Sequence, residues 1–208
     1  MSAVSETIVR EFFELHGFFL RQHRKYVSPA RRNDDDIDFF ILNPRRDEAA
    51  EDIPFVLGPE DLESISSAIV VVKGWHTETF SPAVLEHSQE IFRFVTPAAF
   101  KQAAKVFGVQ KEFSKILVVP ALPTGNPARA ESISYLKSKG VDGVIPFWSM
   151  LADLIDRIEV NRNYQKSDLL QVIRILKNYE FFRGPQMELF TSRTKPKRQR
   201  KKRATKQS

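Results

Sequence analysis

The apolar positions of the chain follow two periods. Between Ser5 and Gly17 they fall at Ile8, Val9, Phe12, Phe13 and Leu15, the spacing of a helix with one buried face, with Ser5 expected as its N-cap and Gly17 as its stop. Short β-branched and aromatic runs bounded by turn residues then predict strands at 18–23, 37–42, 69–72, 116–119 and 141–147. Helical patterns are expected at 82–94 behind Ser81-Pro82, at 97–107, at 129–139 ending on Gly140, at 148–160, and at 167–182 with Ser167 as N-cap. Helix, three strands, helices, strand, helix, strand and closing helices predict an α/β fold with a central mixed sheet flanked by helices. Residues 43–67 join two strands by more chain than a hairpin needs, with Pro44-Arg45-Arg46, acids at Asp47, Glu48, Glu51 and Asp52, and a short helix near 60–66. That connection reads either as a segment shaping access to a site or as an inserted surface loop.

Two of the strands carry a polar group that a plain core strand avoids. Asp38 stands in Ile37-Asp38-Phe39-Phe40-Ile41-Leu42, and Lys73 ends Ile69-Val70-Val71-Val72-Lys73. A carboxylate and a lysine on adjacent central strands suit a site where the carboxylate holds a hard cation and the lysine orients or activates water on a phosphodiester. Strand alternation puts Val71 on the same face as Lys73.

This arrangement resembles the PD-(D/E)XK nuclease superfamily, in which an aspartate starts one strand and a Glu-x-Lys or Asp-x-Lys triplet sits on the next. Asp38 matches the first position and Lys73 the last, while Val71 stands where the second acid belongs. The element order matches that superfamily's restriction-endonuclease-like αβββαβ core, here with extra C-terminal helices. The first helix looks most like that of archaeal Holliday-junction resolvases, where a glutamate lies about three turns before a Gly-Phe pair; Glu6 has that spacing to Gly17-Phe18. The resemblance implies a metal-dependent nuclease that hydrolyses DNA phosphodiester bonds, with Asp38, Lys73 and Glu6 as catalytic residues. It also implies Mg²⁺ held by Asp38 and Glu6, with Glu90 or Glu86 replacing the acid lost at Val71, and a homodimer. By the residues alone, Glu6 complements the dipole of its helix, and Glu86 and Glu90 belong to a solvated face. The alternative function is a catalytically inactive nuclease-fold module that binds nucleic acid or a protein partner.

With 208 residues and 42% hydrophobic content, the chain supports one domain over 1–190, followed by a tail over 191–208. No secretory or membrane-spanning pattern is visible, so a soluble, cytoplasmic protein is expected. The absence of cysteine leaves oxygen and imidazole as the metal ligands, and four scattered histidines argue against a zinc hydrolase. The net charge of +6 belongs to the tail: nine basic residues and no acid lie between Ser192 and Ser208, which leaves 23 basic against 26 acidic residues elsewhere. That segment predicts a disordered arm in which Lys197, Arg198, Arg200, Lys201, Lys202 and Arg203 attract nucleic-acid phosphates, or else a solvated or targeting tail. Arg162 and Lys166, in the connection between the last two helices, with Arg174 and Lys177 form a second basic set that reads either as a phosphate-touching surface or as the solvated face that helices carry routinely. Trp75 suits a base-stacking or a core role, and His76 an acid, base or ligand role.

Overall fold

The first helix, α1 (Ala3–Leu15), buries Ile8, Val9, Phe12 and Phe13 along one side. It stops at Gly17, whose φ of +84° is open to a residue without Cβ; Phe18 N–H then closes back on the Phe13 carbonyl at 3.1 Å. Ser5 is not the N-cap. The helix begins two residues earlier, so Ser5 lies within the first turn and its hydroxyl is used elsewhere. These features come from a computed structural model that describes residues 3–22, 37–46, 53–108 and 112–182; the C-terminal tail lies outside the described residues.

Among the described residues five strands, β1 (Phe19–Gln22), β2 (Phe39–Leu42), β3 (Ser67–Val72), β4 (Ser114–Val119) and β5 (Gly143–Pro146), form one sheet in sequence order. The pairs β1·β2 and β2·β3 are antiparallel, whereas β3·β4 and β4·β5 are parallel, so the sheet is mixed. Parallel neighbours require crossovers. The first runs through α2 (Pro82–His87), a 3-10 segment (Gln89–Val95) and α3 (Pro97–Phe107), and the second through α4 (Asn126–Ser138). Two helices close the described chain, α5 (Phe147–Arg157) and α6 (Asp168–Asn178).

All six residues of β3 are buried, as expected of a central strand covered on both faces. Alternation sends Ala68, Val70 and Val72 into a core shared with Phe12, Met150, Leu154 and Ile173 of α1, α5 and α6. Ile69 and Val71 join the other core, with Leu85, Phe94, Ala103 and Leu136 from the crossover elements. The result is three layers, α/β/α.

Two further sequence expectations change. The helix expected over 82–94 breaks at Ser88 (φ −113°, ψ 58°) and resumes as the 3-10 segment. A turn of three residues stacks Ile91 directly over Phe94, and both are buried; an α-helix would splay them. The part of the long connection described from residue 53 onward reaches the far edge of the sheet. There Leu57 N–H donates to the Val144 carbonyl at 2.8 Å and Val144 N–H to the Phe55 carbonyl at 2.7 Å, so residues 55–57 line the outer side of β5. Leu57, Leu62 and Ile65 enter the α1-side core, so this strap is structural, and it covers an edge strand. Among the described residues no helix is long and apolar enough to cross a membrane.

Candidate functional site

Because β2 runs antiparallel to β3, the start of β2 and the end of β3 meet at one end of the sheet, and this brings Asp38 and Lys73 to neighbouring strand ends. Asp38 lies one step ahead of β2. Phe39 pairs with Val70, yet Asp38 N–H also donates to the Val70 carbonyl at 3.1 Å, so two residues share one partner. This offset resets the alternation: Ile37 joins the crossover-side core with Phe40, while Phe39 points to the other face. Asp38 Oδ2 accepts the Val72 N–H at 2.7 Å, with the acid only 5% exposed. The carboxylate therefore takes over from a strand carbonyl and extends the ladder past the point where β2 pairing stops.

Lys73 follows β3 directly; its N–H donates to the Val118 carbonyl at 2.9 Å and its side chain is half-buried. Val71 is 1% exposed and packs with Ile69, Phe40 and Leu117. The position where the resemblance places a second acid is thus a packed core position.

The turn after Lys73 is locked to α1. Ser5 Oγ and His76 Nε2 are 3.0 Å apart, and the His76 ring meets Phe147 edge-on with centroids 4.6 Å apart. Gly74 makes this approach possible, because a Cβ there would lie 2.5 Å from Ser5 Oγ. Glu6, the next residue of α1, accepts a hydrogen bond from Gln22 Nε2 at the end of β1 at 2.7 Å. Trp75 packs on Phe80 (centroids 5.6 Å apart) and also borders a cavity of about 630 Å³ shared with Thr77, Glu78 and His87.

Glu6 and Asp38 lie at the same end of the sheet, because Gln22, which holds Glu6, pairs with Phe39 beside Asp38. Asp38 commits Oδ2 to Val72 and Glu6 commits Oε2 to Gln22; Glu90 sits exposed in the 3-10 segment and Glu86 is exposed on α2. Among the described residues no three His, Asp or Glu side chains are close enough together to hold a metal ion. Mg²⁺ on a protein normally rests on one or two carboxylates plus water and substrate phosphate, and the described part of this sheet end carries Asp38 and Glu6.

Sequence patterns give no sign of the Ser5–His76 contact, which spans 71 positions, or of Gln22. The one available signal is Gly74 directly behind a buried strand, a mark of close backbone approach. The basic set on the last helices has internal duties. Lys177 Nζ donates to the carbonyls of Ile155 and Asp156 at 2.6 and 3.2 Å, Arg174 Nε to that of Val160 at 2.8 Å, and Arg162 pairs with Glu159 at 3.1 Å. Lys166 is exposed. The tail residues Lys197, Arg198, Arg200, Lys201, Lys202 and Arg203 lie outside the described residues. No family model, curated protein or solved structure matches the chain.

Proposed function

We propose that the chain is a nucleic-acid-binding protein built on a nuclease-like fold. The phosphodiester backbone meets the sheet end that carries Asp38, Lys73 and His76, and the basic tail supplies the long-range attraction. The fold part of this reading is supported by the order of helix, three antiparallel strands, crossover helices and parallel strand, which is the αβββαβ order of the PD-(D/E)XK nucleases. Lys73, at the strand end, suits a phosphate contact, and Trp75, which borders a cavity of about 630 Å³, suits base stacking. Binding is favoured over hydrolysis by one observation: Val71, at the second-acid position, is 1% exposed and belongs to the apolar core with Ile69, Phe40 and Leu117.

Metal-dependent hydrolysis of DNA is the second reading, favoured by the placement of Asp38 and Lys73 on adjacent strand ends. It needs another carboxylate besides Asp38. The test is to titrate fluorescent linear, single-stranded and branched DNA with wild type, Lys73→Ala and Asp38→Asn, and to assay the same DNAs for cleavage with Mg²⁺ or Mn²⁺. Salt-sensitive binding without cleavage, weakened severalfold by Lys73→Ala, is the expected result. Cleavage that disappears in both variants would establish hydrolysis instead. Absence of binding even at low salt would end both readings.

A further inference from the structure

A groove of about 890 Å³ runs along α5, bordered also by the strap at Pro59 and by the end of α6. Its apolar lining is Trp148, Ala152 and Ile155, which recur at helical spacing on α5, together with Phe182. The opposite side of the same helix is fully buried at Met150 and Leu154, yet Trp148 is 67% exposed. A large aromatic side chain left outside, on the wall of a groove, marks a surface made to be covered.

The chain itself supplies a cover. Phe182, the last described residue, both lines the groove and packs on the α1-side core, so the backbone is held at the groove wall where residues 183–208 begin. Past Gly184-Pro185 the sequence reads Gln186-Met187-Glu188-Leu189-Phe190, and these are the last large apolar side chains before the basic run. An arm that only attracts phosphates has no use for three apolar anchors, each of which gains from leaving water. Charge agrees with this pairing. The groove residues Glu60 and Asp156 form no ion pair among the described residues. The cations bordering it are engaged, Arg157 with Asp153 at 2.8 Å and Lys177 with the carbonyls of Ile155 and Asp156 at 2.6 and 3.2 Å. An apolar floor with acids at its border suits an apolar segment followed by cations, and Arg193 and Lys195 come soon after Phe190.

We infer that residues 187–190 dock in this groove of their own chain, with Met187, Leu189 and Phe190 as the anchors. The stretch from Phe182 to Phe190 extends to about 26 Å, and α5 from Trp148 to Ile155 is only about 10 Å long, so the segment reaches the whole groove. A tether this short holds the segment at millimolar effective concentration, which fills the groove even through modest contacts. The basic arm then leaves the fold from α5, the helix whose Phe147 meets the His76 ring. The inference does not rest on the Asp38–Lys73 reading.

The chain has no cysteine, so an introduced pair reports a single contact. Full-length Glu188→Cys is combined with Ala152→Cys or Ser149→Cys in the groove, or with Asn178→Cys, exposed on α6 outside the groove and closer to Phe182 along the chain. Disulfide closure in dilute protein under a mild oxidant is timed on non-reducing gels, and circular dichroism checks that each variant is folded. At least one groove pair should close about tenfold faster than the Asn178 pair, within the monomer, and adding Leu189→Ser and Phe190→Ser should remove that advantage. If neither groove pair is faster, or if the advantage survives loss of the anchors, the inference is overturned. Cross-linked dimers in place of closed monomers also overturn it, and assign the groove to a second copy of the chain.

Discussion

Asp38 has a structural duty before any chemical one, because its carboxylate satisfies the buried Val72 N–H. Asp38→Ala leaves that donor unpaired and is expected to cost about 1–3 kcal/mol, while Asp38→Asn keeps an acceptor oxygen and should cost less; urea denaturation distinguishes them. For this reason the functional assay uses Asn at this position. Gly74 makes a sharper test of the site's architecture. Gly74→Ala drives a methyl into Ser5 Oγ and should cost about 1–3 kcal/mol, but clearly less in a Ser5→Ala background, a non-additivity that a double-mutant cycle reads directly. Asp38 and Lys73 are legible in the sequence because a charge inside an apolar β-branched run is costly and therefore conspicuous. Ser5 misleads for an equally physical reason: it precedes an apolar helical face and fits an N-cap, and nothing local announces a partner 71 positions away.

At the scale of elements, side chains that look like surface charges join the helices. Asp153 on α5 holds His16 from α1 and Arg157 from its own helix, with the His16 and Asp153 side chains 8% and 10% exposed. Asp153→Ala should destabilise by about 1–3 kcal/mol in urea denaturation, since it strands the buried His16 nitrogen. Lys177 reaches from α6 to the carbonyls ending α5, where a cation also meets the negative end of the helix dipole. Lys177→Met should lower stability by about 1 kcal/mol in thermal melts and leave the core unchanged. Helix α3 lies where its pattern puts it because Pro97 and Gly108 punctuate both ends. The break at Ser88 is not legible, because the apolar residues at 91, 92 and 94 suit a helical face until tertiary packing asks for a tighter turn.

For the whole molecule, charge and fold belong to different parts of the sequence. Residues 192–208 hold nine basic groups, so a chain ending at Thr191 should lose most of the salt dependence of DNA binding. In a plot of log affinity against log salt, the slope should flatten by about 0.9 for every phosphate that the shortened chain no longer neutralises. The layered sheet is legible from the order of its elements, but the path of the strap is not, because Val56 and Val144 meet across most of the crossover region and no periodicity encodes that pairing. The packing of Leu57 beside Gly143, where a Cβ would lie 2.8 Å from Leu57 Cδ1, ties that pairing into the core. During synthesis, the emerging N-terminal half therefore has nowhere to seat residues 55–57 until β5 has left the ribosome. Closure of that edge of the sheet is therefore a late event of synthesis, and until then the β5-facing residues of the strap stay without their strand partner.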